Sequence, residues 1–172
     1  EDADYPLLGE GGGVDAGTEI DPTQALATTQ GRSPRAIRTT TIGDEIALSV
    51  GPEAKVFGVS IKDRGAITLA GHAGKAYWFS KSASRMVTST FYMDDYPDWV
   101  DAWNAKGVPT SYAGRSWELL ADPDDYLFGD ADDQPWEVDF PDYGRTFPHP
   151  FGETGSPYFT TLLTLSPAGD EI

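Results

Sequence analysis

The chain contains no cysteine and only two histidines, His72 and His149. The missing thiols exclude disulfide bonds, iron–sulfur clusters, cysteine nucleophiles and zinc sites built on thiolates. Two histidines leave too few nitrogen ligands for a zinc enzyme assembled from this chain alone. We therefore expect no metal site within the chain itself.

Long apolar runs are also missing, because the hydrophobic stretches are far shorter than the roughly 20 residues that cross a bilayer. The first residues show neither an initiator methionine nor the pattern of a signal peptide, which favours a processed chain or an internal fragment. The 172 residues are nevertheless 39% hydrophobic and 12% aromatic. That composition is sufficient for a folded core and argues against a disordered tail.

Negative charge dominates, with 28 acidic and 12 basic side chains and a formal net charge of −16. A chain of this charge repels nucleic acids and anionic membranes, so we expect neither as a partner. Positive charge is concentrated in residues 55–92, which hold six basic side chains and one acidic side chain, Asp63. This stretch is where an anionic ligand would bind.

Local patterns predict two helices. Thr41 as N-cap with Asp44 three positions later predicts a helix of two to three turns that ends at Gly51. The apolar spacing over 96–106 predicts a second helix, with Trp99 among the side chains that face the core.

Short β-branched and aromatic runs predict three strands, the first of them buried: 54–62, 75–80 and 86–92. From Ala121 onward Asp, Pro and Gly predominate, which predicts long ordered loops packed by aromatic residues: Trp136, Phe140, Tyr143, Phe147 and Phe151. We therefore expect an α+β or irregular α/β fold, with a small mixed sheet, a few helices and long loops. We expect residues 1–172 to form a single region, in which the glycine-rich residues 1–30 are a flexible loop.

Lys62 and Arg64 are the strongest candidates for a binding site. They stand two positions apart at the end of the first predicted strand, a spacing that projects both side chains to one face. An arginine fork beside a lysine ammonium suits the oxygens of a phosphate or sulfate. The alternatives are a solvated strand end and ion pairing with the abundant acids.

Other groups carry weaker signals. The acidic residues between Asp122 and Glu137 do not match the EF-hand spacing, which favours a solvated acidic loop over a calcium site. No two of the carboxylates are singled out as a glycosidase pair. We expect His72 to be a hydrogen-bonded structural residue and His149 to be a loop residue.

Several segments together resemble bacterial periplasmic alkaline phosphatases of the nucleotide pyrophosphatase-like type, within the alkaline phosphatase superfamily. The segments are Thr41-Ile-Gly-Asp-Glu45, Ser60-Ile-Lys-Asp-Arg-Gly-Ala66, Ala70-Gly-His72, Lys75-Ala-Tyr-Trp-Phe79, Val87-Thr-Ser-Thr-Phe-Tyr92, Tyr96-Pro-Asp-Trp-Val-Asp-Ala-Trp-Asn104 and Gly144-Arg-Thr-Phe-Pro-His149. In that family the lysine and arginine of a Lys-Asp-Arg-Gly motif contact the phosphoryl oxygens of a monoester. The resemblance therefore implies the same role for Lys62 and Arg64.

The resemblance also implies what this chain lacks. The family uses a threonine nucleophile and two zinc ions held by aspartates and histidines, and none of those motifs occurs here. We therefore expect an internal, substrate-side fragment of a zinc-dependent phosphomonoesterase, with no catalytic residue, metal ligand or cofactor of its own, inactive alone and periplasmic or secreted. Its expected partners are phosphate esters, the remainder of the parent enzyme and further copies of itself.

Two other functions stay open. One is a phosphodiesterase or nucleotide pyrophosphatase of the same superfamily, which the lysine–arginine pair disfavours. The other is a non-catalytic module that binds an anion or a carbohydrate, which would explain the missing catalytic motifs without a larger parent.

Overall fold

The computed structural model describes residues 2–8 and 31–172. Contacts divide them into two compact units, one formed by residues up to 107 with Ile172 and the other by residues 108–171. The flexible loop predicted over 1–30 lies outside the described residues except for 2–8, where Leu7 bridges Ser89. Within the described ranges, no helix combines the length and the hydropathy needed to cross a membrane.

A three-stranded mixed sheet forms the centre of the first unit. Its strands are β1 (Phe57–Ser60), β2 (Lys75–Ser80) and β3 (Arg85–Val87), in the order β1-β2-β3. β1 and β2 run parallel, and β3 pairs antiparallel to β2. The small mixed sheet predicted from the sequence is confirmed, although the third strand ends at Val87.

Helix α1 spans Ile42–Val50 and confirms the first predicted helix. The Thr41 hydroxyl accepts from the Asp44 N–H, and the Asp44 carboxylate accepts from the Thr41 N–H, which together satisfy two N–H groups at this helix end. The helix ends at Gly51, whose φ of 78° is readily adopted by glycine.

Helix α2, Asp63–Ala70, follows β1 directly and was not predicted. Its buried residues Ala66, Ile67 and Ala70 share one face at helical spacing. The first strand is also shorter than predicted, and it is not buried on both faces: Phe57 is 54% exposed and Val59 is 57% exposed.

Helix α3, Asp98–Asn104, confirms the second predicted helix over a shorter range. Val100 is fully buried against the aromatic residues of β2, and the Trp103 indole donates to the carbonyl of Ile172 at 3.1 Å. The prediction that Trp99 lies in the core is wrong, because its side chain is 52% exposed.

The second unit holds a two-stranded antiparallel sheet of β4 (Ser116–Trp117) and β5 (His149–Pro150), followed by helix α4 (Phe159–Thr164). Long loops and single 3₁₀ turns connect these elements, and Tyr143 and Phe151 are buried, as predicted. Trp136 is 77% exposed, so its predicted packing role is wrong. The four α-helices and two small sheets of the described residues confirm the α+β class.

Candidate anion-binding site

Lys62 and Arg64 lie at the junction between β1 and α2. The strand ends at Ser60, Lys62 is the N-cap residue of the helix, and Arg64 is its second residue. The prediction that both project from one face of a strand is therefore wrong. Because a single residue separates them, their Cα atoms lie within about 7.6 Å of each other, at the helix start rather than along a strand.

Asp63, the acidic residue between the two cations, forms an ion pair with Arg32. The Arg32 guanidinium donates to the Asp63 carboxylate, and both side chains are largely buried, at 13% and 18% exposure. This ion pair neutralises the carboxylate that would otherwise repel an anion at the junction. Sequence reasoning missed Arg32, because nothing local links two residues 31 positions apart.

The backbone at the start of α2 favours negative charge. The first N–H groups of a helix have no partner within it and carry its positive dipole end. The Arg64 N–H donates to the Asp63 side chain at 2.7 Å, and the Lys62 N–H donates to the Ser60 hydroxyl at 3.3 Å. The side chain of Lys62 makes no cap for the helix.

A close approach fixes the helix against the strand end. A Cβ atom added to Gly65 would lie 2.6 Å from the Ser60 hydroxyl oxygen and 3.1 Å from the Ser60 Cβ atom, so glycine allows this close approach. Ser60 is the last residue of β1, and Gly65 is the third residue of α2. The start of α2 therefore lies against the last residue of β1.

The topology places more positive charge at the same edge of the sheet. Since β1 and β2 are parallel, their carboxyl ends meet at one edge, and β3 begins there because it runs the opposite way. Lys81 follows the last residue of β2, and Arg85 is the first residue of β3. Sites in α/β structures commonly lie at this edge of a parallel pair.

Within the described ranges, no three His, Cys, Asp or Glu side chains come together as a possible metal site. The side chains of the described residues therefore do not fit a zinc centre.

His149 is not a loop residue as predicted. It is the first residue of β5, its side chain is buried, and its ring stacks on Tyr143 with 4.4 Å between ring centroids.

Asp44 and His72 form a second polar cluster in the first unit. The His72 ring nitrogen Nδ1 lies 3.0 Å from the Asp44 carboxylate, which confirms His72 as a hydrogen-bonded structural residue. The same carboxylate accepts from the backbone N–H groups of His72 and Ala73 at 2.7 and 2.9 Å. Burial acts to raise the pKa of Asp44, but the hydrogen bonds from His72, Thr41 and Ala73 outweigh it and hold the pKa well below its ordinary value.

Comparison with known proteins identifies relatives of this chain. No protein-family model matches it. Two alkaline phosphatases are similar to it in sequence. PhoV of Synechococcus elongatus is 34% identical over 142 residues, 81% of the chain, and PafA of Elizabethkingia meningoseptica is 34% identical over 125 residues, 70% of the chain. A solved structure of wild-type alkaline phosphatase PafA superposes on 87% of the chain with a TM-score of 0.69 and 30% identity. The chain belongs to the alkaline phosphatase superfamily.

The match covers a limited part of these family members. The chain spans 26% of PhoV, 23% of PafA and 26% of the solved PafA chain. A protein of Myroides odoratus named calcium-transporting ATPase is also 34% identical over 143 residues and is covered to 26%. The resemblance to alkaline phosphatases inferred from the sequence motifs is thus confirmed for a segment of about a quarter of their length.

A second solved PafA structure is a variant with four substitutions. It superposes with a TM-score of 0.70 and 29% identity over 87% of this chain. Two of its substitutions replace a lysine and an arginine that stand two positions apart by alanine. Lys62 and Arg64 have the same residue types and the same spacing.

Proposed function

We propose that this chain forms the phosphate-binding portion of an alkaline phosphatase that hydrolyses phosphate monoesters, and that Lys62 and Arg64 contact the transferred phosphoryl group. The observation that carries the proposal is the position of this pair at the start of α2, beside an aspartate already neutralised by Arg32. The lysine–arginine pair replaced in the solved PafA variant supports it by its matching spacing.

The two cations would act on the charge of the phosphoryl oxygens. The Arg64 guanidinium presents paired N–H donors that fit two oxygens at once, and the Lys62 ammonium adds a mobile point charge. Charge that builds up on these oxygens in the transition state is stabilised by donors held in place beforehand. The α2 N-terminus adds a favourable dipole, and the Arg32–Asp63 ion pair keeps the turn in position.

The nucleophile and the metal ions of such an enzyme would come from outside this segment. The family resemblance implies two zinc ions for the whole enzyme, whereas the described residues do not fit a zinc centre. The contribution of this chain is therefore binding and charge stabilisation. The family also implies a periplasmic or secreted location and phosphate esters as ligands.

The proposal is tested in the full-length enzyme by replacing each cation. Lys62→Ala and Arg64→Ala should each lower kcat/KM for an aryl phosphate monoester by at least about tenfold, because each removes a contact to the transferred group. Arg64→Lys should recover only part of the loss, since an ammonium cannot bind two oxygens as a fork. Lys55→Ala, an exposed cation that precedes the amino end of β1, is the matched control and should keep full activity.

The same variants separate the two enzymatic alternatives. A diester has one fewer charged oxygen for the pair to contact, so a monoesterase should lose more activity on monoesters than on diesters. Equal losses on both substrates would point to damaged folding, and a larger loss on diesters would favour the phosphodiesterase function. Wild-type monoester activity in the double alanine variant would refute the assignment of Lys62 and Arg64.

A further inference from the structure

The Asp63 carboxylate links two arginines of the first unit. One of its oxygens, Oδ2, accepts from the Arg32 guanidinium, and the other, Oδ1, accepts from the backbone N–H of Arg64 at 2.7 Å. A carboxylate that accepts at both oxygens cannot turn without breaking one of these hydrogen bonds. The position of the Arg32 guanidinium therefore constrains the backbone of Arg64.

Arg32 is itself held at its backbone and at its guanidinium. Its N–H donates to the Tyr5 carbonyl at 3.0 Å, and its Nη1 donates to the Gly31 carbonyl at 2.9 Å. The side chain is 13% exposed. The ion pair with Asp63 is thus made by an anchored group, unlike the mobile ion pairs of exposed side chains.

The start of the chain holds the segment that bears Arg32. The Asp2 N–H donates to the Gly31 carbonyl at 2.9 Å, and a Cβ added to Gly31 would lie 1.7 Å from the Asp2 carbonyl oxygen. The Ser33 hydroxyl donates to the Asp2 carboxylate at 2.6 Å. These contacts, one on each side of Arg32, hold its backbone against residues 2–5.

We infer that Arg32 is a positioning residue for the bound phosphoryl group: through Asp63 it holds Arg64 in place and thereby contributes to the preference for a monoester. The inference rests on the proposed function, because it requires Arg64 to contact the phosphoryl oxygens. A guanidinium binds two oxygens as a fork only in a narrow range of orientations, so a small shift of its backbone weakens both contacts. Arg32 needs no contact with the substrate for this role.

A double-mutant cycle in the full-length enzyme tests whether Arg32 acts through Arg64. Arg32→Gln should lower kcat/KM for an aryl phosphate monoester by about three- to tenfold, and by no more than Arg64→Ala does. In the Arg64→Ala background the same substitution should cost less than about twofold, because the group that it positions is gone. An equal loss in both backgrounds would overturn the inference, since Arg32 would then act independently of Arg64.

The substrate dependence separates positioning from a general loss of folded enzyme. Arg32→Gln should lower the activity on monoesters more than the activity on diesters, as expected for Arg64→Ala, whereas partial unfolding lowers both equally. Arg38→Gln, the same change at an exposed arginine six positions further on, is the matched control and should keep full activity. Equal losses on the two esters in Arg32→Gln would overturn the inference.

Asp63→Asn distinguishes positioning from charge neutralisation. If Arg32 only cancelled the charge of Asp63, combining Asp63→Asn with Arg32→Gln would restore monoester activity, because both charges of the pair would be gone. Positioning predicts that Asp63→Asn lowers kcat/KM, since an amide has a single acceptor oxygen for two donors. The double variant should then be no more active than either single variant, and restored activity in it would overturn the inference.

Arg32→Lys keeps the inference testable if Arg32→Gln does not fold. Lysine retains the charge but replaces the separate Nε and Nη1 donors by one ammonium group, so kcat/KM for the monoester should fall by at least about twofold. A loss that persisted undiminished in the Arg64→Ala background would overturn the inference.

The same variants distinguish this inference from the proposed function. Wild-type activity in Arg64→Ala would refute both, because the group that Arg32 positions would have no role. A large loss in Arg64→Ala together with wild-type activity in Arg32→Gln would overturn the inference alone.

Discussion

Asp44 connects the start of α1 to the turn after α2. Its carboxylate accepts from the backbone N–H groups of Thr41, His72 and Ala73 and contacts the His72 ring. Because the side chain is buried, at 6% exposure, each of these donors would lose its partner if the carboxylate were removed. One side chain thus joins the start of α1 to the turn that contains His72, 28 positions further along the chain.

Replacing Asp44 should destabilise the first unit strongly. Asp44→Asn keeps the size of the side chain but substitutes an NH₂ group for one acceptor oxygen. We expect a loss of about 2 to 3 kcal/mol in the free energy of unfolding, measured by urea denaturation at pH 7. Glu45→Gln is the control, since Glu45 is exposed in the same helical turn and should change stability by less than about 0.5 kcal/mol.

The pH dependence of the same two proteins provides a second measurement. The pKa of Asp44 is lower in the folded chain than its ordinary value of 3.8. The stabilisation is therefore fully present above that value and is lost as the pH falls toward the folded-state pKa. The stability difference between wild type and Asp44→Asn should shrink as the pH falls below about 4.5. A difference that grew between about pH 4.5 and pH 2 would contradict this account.

Among the elements, α1 and α2 meet through glycine. A Cβ added to Gly43 would lie 2.4 Å from the Leu69 carbonyl oxygen and 2.6 Å from that of Ala70. Gly43 is buried in the first turn of α1, so the backbones of the two helices approach without an intervening side chain. This close approach positions Asp44, the next residue, beside the turn that contains His72.

Gly43→Ala should therefore destabilise the chain despite the better helix propensity of alanine. Propensity alone would add about 1 kcal/mol of stability, but the clash with two carbonyl oxygens requires the helices to move apart. We expect a net loss of about 1 to 3 kcal/mol, measured by chemical denaturation.

Ser49→Ala serves as the control for Gly43→Ala, because Ser49 is exposed in the last turn of α1. It should be neutral or slightly stabilising. A stabilised Gly43→Ala variant would show that the helices adjust to the added methyl group.

For the whole molecule, we expect binding without catalysis. The chain should hold no stoichiometric zinc and should not hydrolyse an aryl phosphate above background, since it has no cysteine and two histidines and the described residues form no metal cluster. Elemental analysis of the purified chain and a hydrolysis assay with added zinc measure both. Tightly bound zinc together with turnover would contradict the prediction.

Local sequence determined several features of this protein. The helix from Ile42 to Val50 could be predicted because its capping box and terminal glycine lie within ten residues of one another. The strand over 75–80 and the concentration of positive charge in 55–92 are equally local properties. Several short segments between Thr41 and His149, among them the one around Lys62 and Arg64, together indicated the superfamily.

Tertiary structure decided what depends on distant residues. α2 is eight residues long, and it is stabilised by packing on β1 through Gly58, a contact that no local pattern shows. The Arg32–Asp63 ion pair and the Asp44–His72 cluster join positions about thirty residues apart. Whether Phe57, Trp99 and Trp136 are buried depends on which elements pack over them, because an apolar side chain carries no information about its neighbours.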